Sequence, residues 1–159
     1  MKLSDTLSSK TIIYPLSSKI QADAVQELLN CLLNQNFLTS TIKLFSFIDN
    51  HDKLLNPAVG RGIAFHYSSS VEIQSPVATF GISKIGVDYN SPDGQKVYFI
   101  LLILDSVNEP IKHRKLITRF QHFINENNIK TNILDSESST DIMDIIENWE
   151  REYLMDEKF

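Results

Sequence analysis

The stretch VYFILLIL, residues 97–104, constrains the fold more than any other part of the chain. Successive side chains of a strand point to opposite faces, and here both parities are apolar, so neither face can meet water. Such a strand is central and must be covered on both sides. The flanking sequence supplies the covers. Ala24, Val25, Leu28, Leu29, Leu32 and Leu33 recur at the three- and four-residue spacing of an amphipathic helix, with Ser17 or Ser18 placed to cap it. From about Thr41 a second helix carries Ile42, Phe45 and Ile48 on one stripe and ends before Pro57. Ile117, Phe120 and Ile124 mark a third helix. Ile142, Ile145, Ile146, Trp149 and Tyr153 mark a long C-terminal one, which the acidic run DSESST precedes as loop or cap. Ile63–Tyr67 and Val77–Ile82 are short runs rich in β-branched and aromatic residues, each bounded by turn-forming residues. Helices, then strands, then helices predict a mixed α/β (α+β) fold, one sheet flanked by helices, in a single domain over residues 1–159.

Charge and composition narrow the function. A net charge of -5 argues against a general nucleic-acid binder, although an acidic chain can still carry a local basic site. The single cysteine, Cys31 within LLNCLL, reads as a small buried hydrophobe of a reducing compartment. No signal-peptide pattern and no membrane-spanning run is found, so a cytoplasmic location is expected, without direct membrane insertion. Neither GxGxxG nor GxxxxGK[ST] occurs, which excludes the common nucleotide-binding loops. Asp141, Asp144, Glu147, Glu150, Glu152, Asp156 and Glu157 are expected on the wet face of the last helix.

Four histidines are the candidates for chemistry. His51 and His122 fall in helical segments with no HxxxH or HExxH spacing, and read as packing or surface residues. His66 follows GIAF at a strand end, beside Ser68 and Ser69, whose hydroxyls suit an anion. His113 comes just after Pro110 and Ile111, in the first turn of the third helix, where unpaired backbone N–H groups and the helix dipole favour a phosphoryl oxygen. A metal-dependent hydrolase built on His66, His113 and Asp88 lacks a close-spaced third ligand, and no metal or cofactor is expected.

Four stretches together carry a resemblance: MKLSDTLS, DKLLNPAVGRGIAFH, SPVATFGISKIGVDYNSPDGQKVYFILLIL and HRKLITRF. In order and spacing they resemble the IIA component of the phosphoenolpyruvate-dependent phosphotransferase system, of mannitol/fructose type, and most of all its nitrogen-regulatory branch. The resemblance implies a sheet of about four to five strands. It implies a phosphohistidine carrier with His66 as phosphoryl acceptor, His113 as the second active-site histidine and Arg61 as a possible phosphoryl stabiliser. Gly62, Ser68, Ser69 and Phe65 would line the binding site, although Phe65 equally suits ordinary core. A neutral imidazole is a competent nucleophile near neutral pH, and in-line transfer needs positioning and donors above all. The implied partners are a histidine-containing phosphocarrier protein and a regulatory target protein or IIB component. The chain would be a relay component rather than a stand-alone turnover enzyme.

The chain also departs from the family pattern. It reads GIAFH where the family reads GIAIPH, HDKL where many members read REKL, and PAVG where they carry a TGIG-like turn. One deletion in a strand exchanges its faces. Either the loss is absorbed in the turn before Gly62, or His66 does not point where the family's histidine does. Two alternatives to the regulatory carrier therefore stand: a IIA-like domain that binds a regulatory partner without phosphotransfer, and a sugar-specific IIA subunit.

Overall fold

The computed structural model describes residues 1–109 and 111–157. Two 3-10 turns, Leu3–Asp5 and Ser9–Thr11, lead into β1 (Ile12–Ile13), α1 (Gln21–Asn34) and α2 (Ile42–Leu54). The strands β2 (Ala58–Gly60), β3 (Ile63–Ser70), β4 (Val77–Val87) and β5 (Val97–Ser106) follow, and then α3 (Lys112–Ile124), α4 (Ile129–Leu134) and α5 (Ser139–Glu157). The five strands form one mixed sheet in the order β1-β4-β5-β3-β2, with β5 in the centre. β5 runs parallel to β3 and antiparallel to β4. The short β1, β2 and α4 carry too few residues to show a period, which is why they escape a reading by pattern.

The two parities of β5 fill two cores. Phe99, Leu101 and Ile103 pack with Leu116, Phe120 and Phe123 of α3, Ile133 of α4 and Ile142, Ile146 and Trp149 of α5. Ile100, Leu102 and Leu104 pack with Ala24, Val25, Leu28, Leu29 and Leu32 of α1 and Ile48 of α2. Burial on both sides is what an all-apolar central strand requires.

Several local expectations are corrected. Ser17 and Ser18 do not cap α1, which starts after Ile20 without a side-chain cap. Their backbone N–H groups donate instead to the Glu27 carboxylate at 3.0–3.1 Å, and the Ser18 hydroxyl donates to Glu27 Oε1 at 2.6 Å. Ile42 does not join the α2 stripe; it is 78% exposed, while Ile48 is buried. Cys31 is half-buried, and burial pushes its thiol pKa up. Glu150 is not on the wet face: it is 3% exposed, and its carboxylate accepts from the N–H groups of Leu3 at 2.5 Å and Ser4 at 3.0 Å. It thereby closes the donors of the first 3-10 turn. The run DSESST does serve as a cap, the Ser138 hydroxyl accepting from Asp141 N–H at 3.2 Å. The side chains of Asp156 and Glu157, and Pro110, lie outside the described residues. No helix among the described residues is long and apolar enough to cross a membrane.

Candidate functional site

The site lies at the C-terminal ends of the parallel neighbours β3 and β5. Their pairing is unbroken from Ile63↔Phe99 to Ser70↔Ser106, so the alternation through GIAFHY is undisturbed. Ile63 and Phe65 belong to the core under α3, and Ala64 to the core under α1 and α2. Side-chain alternation therefore turns His66 toward the α1/α2 face and Tyr67 toward α3. The β2–β3 ladder shifts register between Ala58 and Gly60, before the turn, while β3 itself stays in unbroken register with β5. Gly60, Arg61 and Gly62 all adopt positive φ, at 90°, 58° and 78°, and reverse the chain tightly into β3.

His66 is 1% exposed. Its Nε2 lies 2.8 Å from the Tyr89 hydroxyl. Burial, and then the charge of Asp52, pushes the Tyr89 pKa well above its ordinary value, so that hydroxyl stays protonated and can either donate to or accept from Nε2. The Asp52 carboxylate, whose Oδ2 lies 3.0 Å from Nδ1, can only accept, so the ring proton is assigned to Nδ1 and Nε2 takes the Tyr89 hydroxyl proton. Nδ1 is off the line of a hydrogen bond to that oxygen, so the attraction is chiefly electrostatic. Asp52 is further steadied by Gln21 Nε2 at 3.4 Å. Both nitrogens of His66 thus face protein groups.

Tyr67 occupies the outward position next to it, 41% exposed. Its ring stacks on His113 with centroids 4.1 Å apart and planes within 8°, and His51 meets it edge-on at 5.5 Å. His113 opens α3 as expected. Its Nδ1 donates to Asp105 Oδ2 at 2.7 Å, and its backbone N–H reaches the same oxygen at 3.2 Å. Asp105 is 1% exposed and is the penultimate residue of β5, so the carboxylate fixes both the helix start and the imidazole. A carboxylate on Nδ1 fixes the tautomer and the ring orientation of the imidazole, an arrangement common to imidazoles used in proton or group transfer.

The remaining predicted residues divide between this site and elsewhere. Ser68 and Ser69 line a cavity of about 370 Å³ with Lys43, Leu44, Phe47, His51 and Tyr67. Phe65 packs edge-on against Phe120 at 5.8 Å, and it also lines a cavity of about 200 Å³ with His51, His66, Tyr67, Ile117 and Gln121. His66 and His113 stand on opposite faces of β3 and are not brought together. Arg61 and Gly62 lie in the turn before β3, whose first residue, Ile63, is already three residues and so about 10 Å of strand from His66. There the Arg61 N–H donates to Asp93 Oδ2 at 3.0 Å, and its carbonyl accepts from Lys130 Nζ at 2.9 Å. Asp88 is exposed and accepts from Asn90 N–H. No group of three metal-ligating side chains exists among the described residues.

Asp52, Tyr89 and Asp105 are the site residues that sequence reasoning missed. Asp105 did leave a signal, because a carboxylate near the end of an otherwise apolar strand must have a partner once buried. Asp52 and Tyr89 left none, since only the fold brings α2 and the segment after β4 to His66.

Residues 5–149 match the family described as phosphoenolpyruvate-dependent sugar phosphotransferase system, EIIA 2. The chain belongs to this family. A curated relative, the fructose-specific EIIABC component of Bacillus subtilis (strain 168), is 27% identical over 146 residues, which are 92% of this chain and 23% of that protein. The chain thus spans about a quarter of that relative's length. Among solved structures, the fold is similar to the nitrogen regulatory protein IIA-Ntr from Neisseria meningitidis, with a TM-score of 0.80 and 17% identity over 91% of this chain and 98% of that one. It is also similar to IIA mannitol from Escherichia coli, with a TM-score of 0.74 and 13% identity over 89% and 99% of the two chains. A complex of enzyme IIAMTL with phosphorylated enzyme IIBMTL from Escherichia coli aligns with the same TM-score, 0.74, at 13% identity over 90% and 98%. The five-stranded mixed α/β sheet flanked by helices is the architecture these neighbours share.

Proposed function

We propose that this chain is a regulatory IIA-type module that docks a phosphocarrier partner through the face around Tyr67 and His113, and that it does so without carrying the phosphoryl group on His66. One observation carries the reading: the imidazole of His66 is enclosed with both nitrogens against Tyr89 and Asp52, while a tyrosine holds the outward place before His113. A nucleophile must bring its lone pair to about 3–3.5 Å from phosphorus, in line with the leaving group. The Nε2 lone pair of His66 accepts from Tyr89 inside the protein, and the phenol of Tyr67 is a poor nucleophile at neutral pH. The partners that fit are a histidine-containing phosphocarrier protein or a IIB component. The IIA–IIB complex among the structural neighbours supports that class, as does the apolar and aromatic surface at the site, where Phe47 is 67% and Leu55 66% exposed.

The test is incubation with phosphoenolpyruvate, enzyme I and a histidine phosphocarrier, read by intact mass at neutral pH beside an active IIA control. The expected result is no phosphoryl on the wild-type chain and an acid-labile phosphoryl on Tyr67→His, which places an imidazole before His113. An acid-labile phosphoryl on the wild-type chain, mapped to His66 in its peptides, would refute the proposal. Titration of the phosphocarrier against the wild-type chain by calorimetry supplies the second arm: binding is expected, and its loss in Tyr67→Ala locates the docking face.

A further inference from the structure

The helix α3 concentrates positive charge in an otherwise acidic chain. Lys112, Arg114, Lys115 and Arg119 fall within its 13 residues together with His113 and His122, and it contains no Asp or Glu. The helix divides this set between two directions. His113, Ile117 and Gln121 turn toward the site already described. Arg114, Lys115, Thr118, Arg119 and His122 line a separate, open surface cavity of about 380 Å³, bordered by Tyr153 of α5 and by Met1.

The walls of this cavity are set before any ligand arrives. His122 Nδ1 lies 3.0 Å from the Tyr153 hydroxyl, and the Arg119 guanidinium sits 5.5 Å from the centre of the Tyr153 ring. The Tyr153 ring in turn stacks on Trp149 at 4.7 Å, so the aromatic wall is anchored in the core. Arg114 and Lys115 are exposed, and neither forms an ion pair with an acidic residue among the described residues. Adjacent like charges repel unless an anion lies between them. A volume of 380 Å³ is at the small end of the range for small-molecule sites, about 300–1,000 Å³.

We propose that this cavity binds a small metabolite carrying two or more phosphoryl groups. The guanidinium of Arg114 offers a planar pair of donors for one phosphate, Lys115 a point charge for the next, and the Thr118 hydroxyl and His122 further polar contacts. The site is independent of the relay face, and its occupancy does not depend on whether His66 or Tyr67 takes part in phosphotransfer.

The experiment is calorimetric titration of the full chain with inorganic pyrophosphate and, separately, with ADP, at about 0.15 M ionic strength. Saturable one-to-one binding is expected. It should weaken at least about tenfold in the double variant Arg114→Gln/Lys115→Gln, because hydrogen bonds to a charged group are each worth that order of affinity. Both residues are exposed, so the variant should unfold at the wild-type temperature, and that control separates lost binding from lost folding. Tighter binding of ADP than of pyrophosphate would place an organic group against Met1 and Tyr153; equal binding would restrict recognition to the phosphates. Absence of saturable binding to both, or binding unchanged in the variant, overturns the proposal. Capture of a single-stranded RNA oligonucleotide without pyrophosphate binding also overturns it, in favour of a nucleic-acid surface.

Discussion

His66→Ala should destabilise the fold strongly, contrary to what a strand-end polar residue suggests. The imidazole is 1% exposed, and Tyr89, its hydrogen-bond partner, is 2% exposed. Truncation removes the 2.8 Å bond to the Tyr89 hydroxyl and the neighbour 3.0 Å from Asp52. A buried hydroxyl left without a partner costs about 1–3 kcal/mol. The vacated ring volume adds a cavity penalty, and buried aromatic-to-alanine changes cost about 3–5 kcal/mol. The two effects overlap, so a total of about 3–5 kcal/mol is expected, a large share of the roughly 5–15 kcal/mol of a whole domain. In a chain of this length that lowers the unfolding midpoint by roughly 6–20 °C. Urea unfolding of wild type, His66→Ala, Tyr89→Phe and the double variant measures it. The double variant should cost about 1 kcal/mol less than the sum of the singles, since the same hydrogen bond is lost in each. A His66→Ala cost under about 0.5 kcal/mol, with additive singles, would refute the buried-cluster reasoning and return His66 to a surface role.

Tyr89 sets an alkaline limit to stability. Its folded pKa is raised by burial and then by Asp52, so its contribution is fully present below the unfolded tyrosine value near 10 and is lost as pH rises beyond it. Thermal unfolding across that range should show Tyr89→Phe with a flatter alkaline limb than wild type; identical limbs would contradict the assignment. Glu150→Ala leaves the N–H groups of Leu3 and Ser4 without their acceptor and should cost about 2–4 kcal/mol, with Glu150→Gln costing less because one acceptor remains. Hydrogen exchange should show the Leu3 and Ser4 amides losing protection in the alanine variant first. Retained protection there would mean that Glu150 does not hold the N-terminal turn.

The sequence by itself determined the layered architecture. An eight-residue strand apolar on both parities has only one kind of environment, and the helical stripes around it supply the two covers, so the central β5 and the helices α1, α3 and α5 were legible from periodicity. It also carried the family, because four stretches in the right order are hard to assemble otherwise. It placed His113 correctly at the start of α3, since a helix onset is a local property.

Only the tertiary structure decided the arrangement of the candidate site. GIAFH admitted two registers, and the one adopted is held by eight consecutive pairings with β5. Those pairings turn His66 inward, where Asp52 and Tyr89 arrive from elements remote in sequence, and present Tyr67 to His113. Glu150 shows the same limit. Helical spacing puts it among solvent-facing acids, yet it is buried because the N-terminal turn brings two unpaired donors to it. Periodicity reports which face of an element is apolar; which polar group is taken inside depends on donors and acceptors that only the completed fold brings together.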